Sequence, residues 1–336
     1  MTIRMTRRGA LAALGGTAAA VSLGAPALAA QKTKVGALRF TSHAASFVAF
    51  ERGYFKDAGL DVEFEFFQAA QPMAIAIASR DADYAVTAIS GGLLSLANKG
   101  AAKVIGGALR EEPGIDGQLI LASNDAHAAG LTSPAQLGGK TFGMTTAGSS
   151  FHYMGSKIAA AEGVEMTFKP LQKVGAVIGA LKSGQIDAWS IVPHIAKGLS
   201  GAGAVQVIGK VSDYLPDYQV TTVFTSEANA SGDRGRTEAF LQAFSRGAAD
   251  FNAALVDKTA GDEAAEEMVK LIHKYVYVDR PYEKAAGPIR AGAMRISADA
   301  ALNMASVADQ VGWFKSEGLV DSSVEALVDP SYVESV

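Results

Sequence analysis

The sequence predicts an α/β protein of two Rossmann-like lobes with mixed sheets, joined by a two-strand hinge. Three observations carry that expectation: strand and helix patterns alternate along the chain, the chain holds a diluted copy of itself, and strand-like segments stand where one copy ends and where the other does. The copy is clearest at Ser79-Arg80-Asp81-Ala82-Asp83-Tyr84, which aligns with Ser183-Gly184-Gln185-Ile186-Asp187-Ala188 at an offset of 104 residues. At that offset Ser46-Phe47 falls on Ser150-Phe151, and Gly59 to Phe64 falls on Gly163 to Phe168. Val104-Ile105-Gly106 matches Val207-Ile208-Gly209 with the offset one residue shorter. Two similar α/β lobes in one chain face each other across a cleft, a preferred place for small ligands.

Lys34 to Phe40 reads as a first strand, and Phe47 to Ala58 follows as a helix stopped by Gly59. Asp61 to Phe67 alternates polar and apolar residues with period two, as a half-buried strand does. A helix over Pro72 to Ser79, a strand over Ala82 to Ile89, a helix over Leu93 to Lys99 and a strand over Lys103 to Leu109 complete the first copy. Such alternation gives a parallel or mixed sheet with helices on both faces. Gln118 to Ser123 reads as the strand leaving it, Thr141 to Thr145 as the first strand of the second copy, and Val220 to Thr225 as the strand returning. Helical patterns over Arg236 to Val256, Asp262 to Tyr275 and Ala300 to Gly318 form a tail with no counterpart in the copy. The expected division is an export signal over residues 1–30, lobe 1 over 31–121 and 227–336, and lobe 2 over 122–226. Two crossings, near residues 122 and 226, would let the lobes close as rigid bodies.

The first thirty residues have the parts of a cleaved export signal: Arg4, Arg7 and Arg8 at a basic start, an apolar run from Ala10 to Leu23, and small residues at Ala27-Leu28-Ala29-Ala30. That run is too short and too rich in Gly and Ala to be a membrane span. Arg7-Arg8 after Thr6 resembles a twin-arginine signal, but Ala10 stands where a bulky apolar residue would complete the match, so Tat and Sec export both stay open. Cleavage removes three positive charges and no negative ones, moving the net charge from −4 to about −7. Mild acidity without a basic run argues against nucleic acid as a partner. The chain has no cysteine, which rules out disulfides, thiolate chemistry and an amino-terminal lipid anchor. A soluble, periplasmic monomer is expected.

Four segments then carry a family resemblance: Phe50-Glu51-Arg52-Gly53-Tyr54-Phe55-Lys56-Asp57-Ala58-Gly59-Leu60-Asp61-Val62-Glu63, Leu137-Gly138-Gly139-Lys140-Thr141, Ala180 to Ala188, and Gly312-Trp313-Phe314 with Gly318-Leu319-Val320-Asp321. They resemble the periplasmic solute-binding proteins of ABC importers, in the branch that handles nitrate, taurine, alkanesulfonates and thiamine-pyrimidine precursors. The resemblance covers nearly all of the mature chain. It implies the type II periplasmic binding protein fold, capture of a small ligand by hinge closure, and the transmembrane subunits of an ABC permease as partners. The chain departs from the family pattern at Arg80, where many relatives have Gly, and at Gln68 to Pro72, where they have a glycine-rich loop. The second departure reshapes the pocket, so a relative's substrate does not carry over.

In open α/β sheets ligands sit beyond the carboxyl ends of the strands, and the copy locates those ends in both lobes. After the first strands lie Phe40-Thr41-Ser42-His43 and Thr145 to Ser150; after the third lie Ala88-Ile89-Ser90 and Val192-Pro193-His194. Thr145, Ser149, Ser150 and Phe151 stand out because Gly148-Ser149-Ser150 opens a helix whose free N–H groups can hold an anion, although a serine there also serves as a plain N-cap. His194 falls opposite Ser90, and with His43 it offers a donor or acceptor that titrates near neutral pH, while Thr41 adds a hydroxyl. Phe40, Phe67 and Trp189 are candidate stacking walls or core residues, and Arg39 can clamp a carboxylate or sulfonate or form a surface ion pair. Asp83 and Asp187 read as structural, capping the loop before each strand.

A catalytic role on this scaffold, of the thiamine-pyrimidine-synthase kind, is the rival expectation, with a ligand-sensing domain as a third. No Gly-x-Ser-x-Gly elbow is present, the five histidines are scattered, and no carboxylates cluster. A binding protein without cofactor, metal or catalytic residues is therefore expected. Its ligand is a small sulfonate, carboxylate or aromatic, pyrimidine-like compound.

Overall fold

Alternation in Leu60–Phe66 (β2) buries Leu60 and Val62 and leaves Asp61 and Glu63 outside, and the strand pairs in parallel with Gln31–Ala37 (β1). The computed structural model describes residues 31–333; the export-signal segment at residues 1–30 lies outside the described residues. Tyr84–Thr87 (β3), buried along its whole length, and Lys103–Gly107 (β4) continue this first sheet. Leu119–Ser123 (β5), Thr141–Met144 (β6), Thr167–Pro170 (β7), Ala188–Ile191 (β8) and Val205–Lys210 (β9) form a second sheet, and Thr222–Thr225 (β10) returns to the first.

The strand orders are β2-β1-β3-β10-β4 and β7-β6-β8-β5-β9. Each sheet has the same plan. Four strands come from one copy of the repeat, and the fifth, antiparallel to both its neighbours, is a crossing segment: β10 between β3 and β4, β5 between β8 and β9. The repeated aspartates belong to this plan, as bonds between strands rather than caps within a loop. Asp83 Oδ2 accepts from the Lys34 N–H at 2.8 Å, and Asp187 Oδ2 accepts from both the N–H and the hydroxyl of Thr141 at 2.7 Å. Each carboxylate ties the start of the third strand of its copy to the first.

The helix expected over Phe47 to Ala58 is two pieces, Ala44–Glu51 and Tyr54–Asp57, because Gly53 turns the chain at φ 76°. In the tail, the helix Arg234–Phe251 lies on the first sheet's half, where Phe240 stacks on Tyr84 at 4.1 Å and on Phe55 at 5.2 Å. The helix Tyr282–Ala291, with Pro288 inside it, lies between the helical patterns expected for the tail and packs on the helix Pro193–Gly201 of the second half. Met304–Ser316 also reaches that half, through Asp309, which accepts from the Tyr153 hydroxyl and pairs with Lys157 at 2.8 Å. The tail thus touches both halves.

Replacing Asp187 by Ala strips two donors on Thr141 of their acceptor and is expected to cost about 1–3 kcal/mol of unfolding free energy. Urea unfolding of Asp187→Ala against the parent reads it, and an unchanged midpoint would contradict the structural role.

Candidate ligand-binding site

The two sheets meet at the carboxyl ends of β1, β3, β6 and β8, where a chamber of about 60 Å³ lies between them. Phe40, Ser42 and His43 line it from the turn after β1, Thr87 and Ala88 from the end of β3, and Ile191 and Val192 from the end of β8. Thr145, Ser149, Ser150 and Phe151 line it from the start of the helix Ser150–Glu162, and Gln118, Val220 and Thr221 from the two crossings. No lining side chain is charged at neutral pH. Three lining residues carry a buried polar atom with no protein partner: His43 Nδ1, Ser149 Oγ and Gln118 Nε2. Buried polar groups are nearly always paired, so three around one chamber point to a ligand or water that completes them.

The walls are held by contacts that cross between the halves. Thr41 Oγ1 lies 2.9 Å from His194 Nδ1 and 3.3 Å from the carbonyl of Gly292 in the tail. Both contacts are satisfied together when His194 donates from Nδ1 and the hydroxyl donates onward, which leaves His194 Nε2 as an acceptor without a protein partner. A Cβ on Gly292 would sit 2.2 Å from that of His194, so only glycine lets the tail approach this closely. Backbone bonds add to the seam: Gly91 N–H donates to the Gly148 carbonyl at 2.9 Å, and Val174 N–H to the Gln68 carbonyl at 3.3 Å. Gly148 has φ +69°, and a Cβ there would lie 3.0 Å from the Phe314 ring.

Six of the residues singled out from sequence line the chamber, Phe40, His43, Thr145, Ser149, Ser150 and Phe151, and two more, Thr41 and His194, bond to each other beside it. Ser149 makes no cap bond, so its hydroxyl is free for another partner. His194 sits just beyond, lining a larger outer cleft of about 630 Å³ together with Arg39 and Phe67. Ser90 instead caps the helix Gly91–Asn98 by accepting from Leu93 N–H, and Trp189 is fully buried behind Phe151, 5.2 Å from its ring. Those two stand outside the chamber wall. Sequence reasoning missed Gln118 and Thr221, which lie in the crossings that the repeat does not contain, and Tyr277 and Arg280 of the tail, which line the outer cleft.

A family model described as NMT1/THI5 like matches residues 40–254. The chain belongs to the NMT1/THI5-like family. A search among curated proteins gave no match. Among solved structures, a ligand-binding component of an ABC-type import system from Staphylococcus aureus, solved with zinc bound, superposes with a TM-score of 0.70 at 14% identity, over 90% of this chain and 97% of that one. The alkanesulfonate-binding protein SsuA from Xanthomonas axonopodis pv. citri, bound to MOPS, gives 0.68 at 15% identity over 91% and 98%. The nitrate-binding protein NrtA from Synechocystis PCC 6803 gives 0.60 at 16% over 75% and 68%. At these identities the likeness shows a shared fold, that of periplasmic binding proteins, and this NMT1/THI5-like chain has it.

Burial sets the charge state of the site. It lowers both His43 and His194 to about 3, with His43 adding a smaller push on His194, so both rings are neutral at pH 7. Glu111, whose Oε1 accepts from the Gln118 N–H, is raised to about 7 by the same burial. The two histidines favour the folded state fully above pH 6.5 and progressively less as pH falls toward 3; Glu111 works the other way, favouring it less as pH rises from 4.5 to 7. Burial lowers His152 as well, so between pH 6.5 and 4.5 the histidines outweigh Glu111 and stability is expected to fall as pH falls. His43→Gln removes one of these terms and should make that fall shallower, by about 1.4 kcal/mol per pH unit, in urea unfolding. A slope unchanged in the variant would contradict a buried, neutral His43.

Proposed function

We propose that this NMT1/THI5-like protein is the exported, soluble substrate-binding component of an ABC importer, which captures a small organic ligand between two lobes and delivers it to a membrane permease. The two sheets would be the cores of those lobes, with the hinge at the segments 108–118 and 211–221, earlier than the expected 122 and 226 because Leu119–Ser123 already pairs in the second sheet and Thr222–Thr225 in the first. The observation that carries this reading is the chamber itself: residues from both halves and from both crossings surround it, and three buried polar atoms on its wall have no protein partner. A ligand touching both walls stabilises the closed arrangement by its differential affinity for it. Sulfonates, carboxylates and pyrimidine-like compounds are the classes in view, as the resemblance and the hydroxyl, imidazole and aromatic lining suggest. Export through a cleaved signal and a monomeric state belong to the same proposal.

Thermal unfolding of the mature protein across a panel of sulfonates, carboxylates, nitrate and neutral pyrimidines is the direct test. At a hundred times its Kd a true ligand adds about 2.7 kcal/mol to stability, and Thr41→Val, which removes the bridge to His194, should weaken its binding roughly tenfold. A panel without one stabilising compound, or turnover of any member, would overturn the proposal.

A further inference from the structure

The chamber is small. At about 60 Å³ it falls well short of the roughly 150 Å³ that accommodates benzene, whereas the outer cleft, at about 630 Å³, has the size of an ordinary ligand pocket. Leu38, Phe40 and Val174 line both, so one molecule can occupy the two spaces at once. Aromatic rings and aliphatic side chains dominate the outer cleft. Its charged groups are Arg39 and Arg280, and no carboxylate is among its lining residues.

Both guanidinium groups are held over rings: Arg39 Cζ lies 3.8 Å from the centre of the Phe66 ring, and Arg280 Cζ lies 4.3 Å from that of Tyr277. Arg39 also donates to the Tyr275 carbonyl at 3.2 Å. Among the described residues, neither has a carboxylate within ion-pair distance of 4.0 Å. The segment that brings Arg280 to the cleft is strained and anchored. Tyr277 adopts φ +59°, rare for a tyrosine, while its hydroxyl donates to the His194 carbonyl at 2.9 Å, fixing the segment to the opposite half. Two restrained arginines without a carboxylate partner thus line an apolar cleft, the chemistry that recognises an anion.

We propose that the ligand is an elongated amphipathic anion, with a small uncharged end in the inner chamber, an apolar or aromatic body along the outer cleft, and a carboxylate or sulfonate held at the cleft mouth by Arg39 and Arg280. This deepens the solute-binding reading and rests on it. The polarity is set by the lining: the chamber offers hydroxyl, imidazole and amide groups without charge, and the positive charge stands outside.

The test uses pairs that differ only in charge: 3-phenylpropionate with 3-phenylpropionamide, heptanoate with heptanamide, and benzenesulfonate with benzenesulfonamide. Each is titrated calorimetrically into the mature protein and into Arg39→Gln and Arg280→Gln, both exposed positions where folding is retained. The expected result is that at least one acid binds about tenfold tighter than its amide, and that each Gln variant abolishes the preference while leaving amide affinity within about threefold. Equal affinity within every pair, or a preference that survives both substitutions, overturns the clamp. If no pair binds but a neutral pyrimidine of the wider panel stabilises the protein, the clamp alone is overturned; if nothing in either set binds, the solute-binding reading falls with it.

Discussion

The contact between Thr41 and His194 is the constraint on which the rest of the site depends. It joins the turn after β1 to the first turn of the helix Pro193–Gly201, and the Gly292 carbonyl joins the tail to the same hydroxyl. Around it both histidines are excluded from water, which keeps them neutral and makes each ring a hydrogen-bonding group of fixed direction rather than a charge. The Phe40 ring packs edge-on to His194 at 5.3 Å and to His43 at 6.4 Å, so the aromatic wall, the polar wall and the seam between halves are one packed unit. Any motion that parts the halves must break the Thr41–His194 bond, hydrate both imidazoles and release the Gly91–Gly148 bridge together. Those are the terms against which a ligand's contacts must be weighed.

The strand exchange explains why the chamber has four walls rather than two. Each crossing supplies a strand to the sheet it enters, and the residues just outside those strands, Gln118 before β5 and Thr221 before β10, reach the chamber. Gln118 is further tied by its N–H to Glu111, itself beside the buried hydroxyl of Tyr218, whose acidity burial suppresses. The crossings and part of the chamber wall are therefore built from the same short segments.

Much of this was legible in the sequence, for a physical reason. The repeat Asp83/Asp187 recurs because both carboxylates make the same bond, to the first strand of their own sheet, and the offset between them located the strand ends on which Phe40, His43, Thr145 and Ser149 lie. Strand-end position says nothing about direction, so Ser90 turns back to cap its own helix, and of the two readings open for Trp189 the core one is what the buried strand shows. Arg280 and Tyr277 lay beyond the repeat altogether. Their segment precedes the helix Tyr282–Ala291, and the packing of that helix on the second half accompanies their place in the cleft.

Whether the halves move on a ligand between them is decided most directly by a distance between the halves. The natural chain has no cysteine, so Glu63→Cys and Lys182→Cys place two spin labels, one on an exposed site of each half, without further change. Pulsed dipolar spectroscopy is then recorded with and without a compound that calorimetry shows to bind. On saturation the distribution is expected to shift and narrow, and Thr41→Val to broaden it again. A compound that binds at the chamber and leaves the distribution unchanged would contradict closure as the mechanism.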